Sequence, residues 1–216
     1  MARGRFAAFA GDAGAAPTTC PALRLMGTAY HEAGHAVASY AVWPQHPVES
    51  ATIIPANGYL GMVRHAEQDD SWRADVEDEG MAAALAAESE TVIYLAGHLA
   101  EVRFLDGIAE VPYQFERTSD SLSAQDASSG TWDGEAKPIH HAYAYWDRTR
   151  ELLRQSEVWL AVARVAGALL LQGELSGREI EAIVMEAGVE PDPERVPLFA
   201  PGDEEGDAEA FSWDRW

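Results

Sequence analysis

Positive charge is scarce in this chain. Fifteen Lys and Arg stand against 36 Asp and Glu, for a net charge of −21. Nucleic acid and anionic membrane surfaces would be repelled, so neither is expected as a partner. Cysteine is almost absent: Cys20 is alone, which excludes an internal disulfide and a thiolate metal site and leaves an ordinary thiol. No apolar run approaches the roughly 20 residues that span a bilayer. The first 20 residues carry two early Arg, but glycines and Asp12 interrupt their weak apolar stretch, so a secretory leader is not expected. A phosphate-binding Gly-x-x-x-x-Gly-Lys-Ser/Thr loop is missing, and with it the expectation of a built-in ATPase. These absences point to a soluble cytoplasmic protein. Its 216 residues, 47% of them hydrophobic, suffice for one domain with a real core.

Against that background one motif stands out, His31-Glu32-Ala33-Gly34-His35. Residues four apart on a helix share a face, so His31 and His35 can point their imidazoles at one zinc ion. Glu32 can then reach a water activated by the ion and serve as its general base. Two His on one helix can equally be ordinary residues, and here the surroundings decide. Residues 28–42 are rich in Ala, apolar on both sides of the motif, and free of Pro until Pro44. That pattern predicts a buried helix, in which paired His and Glu without a metal would need other partners. Gly34 costs such a helix about 1 kcal/mol relative to Ala, so a close backbone approach is expected there.

Residues 1–22 are Gly/Ala-rich and are expected to form a disordered tail, followed by one domain over 23–190 and an acidic disordered tail over 191–216. After the break at Trp43-Pro44-Gln45-His46-Pro47, residues 48–54 and 59–65 read as strands joined at Asn57-Gly58. A long helix is expected over 74–105, ended by Gly107. Residues 107–136 show little periodicity. Pro138 opens a helix to Arg154. Another runs over 157–171 and closes at Gly173. Ser176-Gly177-Arg178-Glu179 is a capping box for a last helix to Ala187. The expected class is mainly α with a small β-hairpin or sheet.

Four stretches, in order, resemble the peptidase domain of FtsH, the AAA+ membrane protease. They are residues 29–36 with the motif, the hairpin 48–55 followed by Leu60-Gly61, the stretch Leu95-Ala96-Gly97-His98-Leu99-Ala100-Glu101, and the helices of 148–180. The first two are specific, and the likeness spans residues 28–187. It implies a helical zincin fold, Zn²⁺ as cofactor, peptide or unfolded protein as substrate, and a third zinc ligand from an Asp in a later segment. Asp120, in Ser119-Asp120-Ser121-Leu122-Ser123-Ala124, best resembles that segment; Asp126, Asp133 and Glu101 stay open. The family's unfolding motor and membrane anchor have no counterpart here, so an ATPase acting in trans and self-assembly are both open. A non-catalytic zinc-binding module is the competing reading. His46, His65, His98 and the adjacent His140 and His141 read as surface or hydrogen-bonded residues.

Overall fold

A computed structural model describes residues 5–6, 20–56, 58–66, 79–106, 124 and 138–191. The centre of the fold is α1 (Pro21–Val42), which opens with Pro in its first turn, where a missing N–H costs nothing. It packs along α2 (Glu79–Asp106) and against α4 (Ser156–Gln172), while α3 (Pro138–Arg154) lies on α2. The short α5 (Gly177–Glu186) covers α4 and the sheet.

Small residues set the α1–α2 distance. Ala29, Ala33, Ala36, Ala96 and Ala100 are all fully buried, and Gly34 lies between the two backbones. A Cβ on Gly34 would lie 2.7 Å from the Ala100 Cβ and would strike the Ala96 carbonyl. The close approach expected of Gly34 is therefore present. Beside it, Tyr30 stacks on Phe104 with ring centroids 4.0 Å apart and lies 5.7 Å from Trp159. The Arg103 guanidinium sits 3.9 Å over the Trp159 ring. Contacts of this kind add about 0.5–1.5 kcal/mol each beyond area burial, and here they join α1, α2 and α4 next to His31.

The sheet is antiparallel, in the order β1-β3-β2-β4, with β1 at Arg5–Phe6, β2 at Val48–Thr52, β3 at Met62–His65 and β4 at Glu174–Ser176. β2 and β3 pair through Ala51↔Val63 and Thr52↔Met62. Their connection narrows to a separate bridge, Ala56↔Tyr59, next to Gly58 at φ +91, a conformation that suits glycine. Both strands are shorter than the sequence suggests. The Thr52 hydroxyl donates to the Gly173 carbonyl (3.2 Å) and accepts the Ile54 N–H (3.1 Å), and the Ile53 N–H donates to the same carbonyl (2.9 Å).

The structure differs from the sequence reading at the N-terminus. Within the segment 1–22 expected to be a tail, Arg5 and Phe6 pair with β3 and Pro21 begins α1, while residues 1–4 and 7–19 lie outside the described residues. Elsewhere the agreement is close. α3 has the expected limits, Gly173 ends α4 at φ +82, and the capping box forms, with the Ser176 N–H donating to Glu179 Oε2 at 2.8 Å. Those hydrogen bonds, from the Ser176 hydroxyl first and its N–H second, hold the Glu179 carboxyl below its ordinary pKa. The tail expected after 191, Gly107 and the segment 107–123 lie outside the described residues. Among the described residues, no helix is long and apolar enough to cross a membrane.

Candidate metal centre

His31, Glu32 and His35 lie mid-way along α1, with exposures of 5%, 0% and 0%. Helical spacing brings the two imidazoles together edge to face, with ring centroids 4.7 Å apart. Each ring is held from behind. The His35 Nδ1–H donates to the Ile93 carbonyl at 2.7 Å, and the His31 Nδ1–H donates to Glu101 Oε2 at 3.0 Å. A carbonyl and a carboxylate only accept, so these contacts assign the protons to both Nδ1 atoms.

The remaining nitrogens then face each other as lone pairs, His31 Nε2 and His35 Nε2, 3.0 Å apart. Two lone pairs at that distance repel unless an electrophile joins them. Two zinc–nitrogen bonds of 2.0–2.1 Å at a tetrahedral angle place the nitrogens about 3.3 Å apart, close to the spacing here. The donor set therefore fits a zinc ion, and the outer acceptors are of the kind that orient metal-bound imidazoles.

Two glycines shape the space around these side chains. The backbone of Gly97 on α2 lies flat under the His35 ring, and a Cβ there would fall 2.7 Å from Cδ2 and nearer still to Nε2. Gly61, just before β3, lies against Glu32, where a Cβ would be 2.6 Å from Oε1. The hairpin thus reaches the motif glutamate through a residue without a side chain.

Glu101 stood among the open third ligands. It sits on the Nδ1 side of His31, the side turned away from His35. Asp120, Asp126 and Asp133 lie outside the described residues. Among the described residues no group of three metal-binding side chains comes together.

A second cluster joins His46 and His65, which the sequence left as surface or hydrogen-bonded residues and the structure shows hydrogen-bonded and buried together. One turn after His35, the Ser39 hydroxyl donates to the His46 carbonyl at 3.3 Å and lies 2.9 Å from His65 Nε2. The His46 Nε2–H donates to the Ala66 carbonyl at 3.2 Å, and the His46 and His65 rings lie 4.7 Å apart. Both are buried. The signal was present in β3, where exposed Arg64 alternates with buried Val63 and His65. Burial first, then the neighbouring His46 and His35, lowers the His65 pKa from 6.5 to about 3.

This depression has a stability consequence. His65 is neutral in the fold down to about pH 3, whereas the unfolded chain takes up a proton below 6.5. Its contribution is complete above pH 6.5 and is lost as pH falls toward 3. Urea unfolding at a series of pH values is expected to show a loss of a few kcal/mol across that window, with the slope shallower in His65→Gln. An equal slope in the variant would assign the acid sensitivity to the carboxylates instead.

Residues 24–110 match the family model of peptidase family M41. The ATP-dependent zinc metalloprotease FtsH of Rickettsia typhi is 36% identical over 74 residues, covering 34% of this chain and 10% of the relative. FtsH of Acidimicrobium ferrooxidans is 27% identical over 212 residues, 85% of this chain and 32% of the relative. A chloroplastic/mitochondrial ATP-dependent zinc metalloprotease, FTSH 9 of Oryza sativa subsp. japonica, is 44% identical over 43 residues, 20% of this chain and 6% of the relative. The matched part is thus a third or less of each relative's length.

Proposed function

We propose, on the match of residues 24–110 to the model of peptidase family M41 and the likeness to FtsH, that this chain is a zinc-dependent metalloendopeptidase acting on peptides or unfolded segments. The observation that carries the reading is the pair of Nε2 atoms 3.0 Å apart, each ring pinned from behind by an acceptor. His31 and His35 would hold the ion, with Asp120 as the proposed third ligand. Zinc, when bound, supplies Lewis acidity that polarises a carbonyl and brings a water's pKa toward neutrality.

The rest is the work of this chain's own side chains. Glu32 takes the proton of the attacking water and delivers it to the departing amine, so that one carboxylate is first base and then acid. Glu101 and the Ile93 carbonyl keep both Nδ1 atoms protonated, so that each ring presents Nε2 as its metal-binding nitrogen. The curated relatives are named ATP-dependent, while this sequence has no phosphate-binding loop. The proposed substrates are unfolded segments, or proteins delivered by an ATPase. A single cysteine and an acidic composition support a cytoplasmic setting.

Cleavage of unfolded casein tests the reading. Zinc-loaded protein is expected to cut casein, to stop on addition of a chelator, and to recover when zinc is restored. Zinc bound with no turnover of casein or short peptides would replace the enzyme with a binding module.

A further inference from the structure

A general base is only as well placed as the backbone packed against it. Glu32 is fully buried, and the Gly61 backbone lies so close that a Cβ there would be 2.6 Å from Oε1 and 2.7 Å from Cγ. Gly61 leads straight into β3, so Gly61, Val63 and His65 fall on one face of the extended chain. That face is turned to α1, where Gly61 meets Glu32 and His65 meets Ser39. Glu32 and Ser39 are about 10.5 Å apart along the helix axis. Gly61 and His65 are about 13 Å apart along an extended chain. The two contacts fit together with β3 laid lengthwise on α1.

The Ser39 end of this contact is built as an anchor. Ser39, His46 and His65 are all buried. A hydroxyl carries one hydrogen; with it on the His46 carbonyl, the 2.9 Å bond runs from His65 Nε2–H to Ser39 Oγ. The His46 Nε2–H reaches the Ala66 carbonyl, and the Ala66 N–H donates to the Pro47 carbonyl at 3.0 Å. The end of β3 is thus tied both to α1 and to the connection that leads from α1 into β2.

We propose that Ser39 and His65 are positioning residues for Glu32: their hydrogen bond sets the register of β3 on α1, and β3, through Gly61, sets where the carboxylate rests. The proposal rests on the peptidase reading of the site, in which Glu32 is the base.

Three variants of the full chain test it. His65→Leu keeps the buried volume and removes the bond, Ser39→Ala removes it from the helix side, and His65→Gln keeps a polar atom in the place of Nε2. For zinc-loaded protein cutting an unfolded peptide, kcat is expected to fall by about 10- to 100-fold in the first two, since a misplacement of about 1 Å costs about 10²-fold. KM and zinc content should stay at their wild-type values, and His65→Gln should recover most of kcat. A purely structural role would not divide the parameters in this way.

A second readout needs no hydrolysis. Gly61→Ala drives a methyl into the buried Glu32 side chain, so either that side chain or the strand must yield. With the anchor intact the strand cannot shift, and Tm falls. In His65→Leu the strand can shift, and the same substitution is expected to lower Tm by roughly half as much or less. If the wild type cuts nothing, the peptidase reading falls and the melts alone decide the anchor. Additive melting losses, a wild-type kcat in His65→Leu and Ser39→Ala, no recovery in His65→Gln, or zinc lost together with turnover would each overturn the proposal.

Discussion

Glu32→Gln is expected to keep its zinc and lose hydrolysis, with kcat lower by about 10²–10⁴-fold, the range a positioned general base supplies. The amide has nearly the shape of the carboxylate, so it fits between α1 and the Gly61 backbone, where there is no room for a larger group. His31 and His35 keep their partners on Glu101 and Ile93, so both Nε2 atoms stay available to the ion. What is lost is the proton acceptor. Metal content by elemental analysis and peptide turnover, measured on the same preparation, separate the two roles. Turnover within a few-fold of wild type would remove Glu32 as the base, and loss of zinc together with activity would show that the carboxylate helps build the metal site.

Gly97→Ala is expected to damage the site from the opposite side. The new methyl would occupy the space of the His35 ring, with backbone behind it that cannot yield, so the imidazole must turn. Turning it breaks the 2.7 Å hydrogen bond to Ile93 and moves Nε2 away from its partner on His31. Overpacking of this kind costs about 1–3 kcal/mol, which for a chain of this size lowers Tm by on the order of 2–4 °C per kcal/mol. Zinc affinity is expected to fall about tenfold or more, as when an orienting partner is lost.

The same substitution at Gly167 is the control. That glycine is also helical, but nothing lies within 4 Å of where its Cβ would be. Gly167→Ala should stabilise α4 by about 0.5–1 kcal/mol and leave zinc binding alone. Thermal melts and chelator competition on both variants check the pair. A Gly97→Ala protein with wild-type affinity would mean that the His35 ring is not held by this contact.

How far the sequence could be read depended on whether the signal was local. The limits of α3, the end of α4 at Gly173 and the capping box at Ser176 were all legible, because proline geometry, a left-handed glycine and a side chain reaching three residues ahead act within one turn. The strand lengths were less so. β2 ends where Thr52 and Ile53 both bond to the carbonyl of Gly173, a partner far along the chain. β1 was missed for a related reason: two residues have no periodicity to detect, and their pairing exists only once β3 offers an edge.

The metal site divides in the same way. Helical spacing alone put His31 and His35 on one face and Glu32 beside them, and the cost of Gly34 within a helix pointed to a close backbone approach. Those conclusions follow from local geometry and hold wherever that helix forms. Tertiary structure decided the rest. It turned Glu101 from an open ligand into the acceptor behind His31, gave His35 its carbonyl, and set Gly97 and Gly61 against the two side chains they make room for. It also buried His65 against Ser39 and paired Arg5–Phe6 with β3. Each of these is a contact between residues distant in sequence, created by packing α2 and the hairpin onto α1, and no pattern along the chain encodes which atoms such packing will bring together.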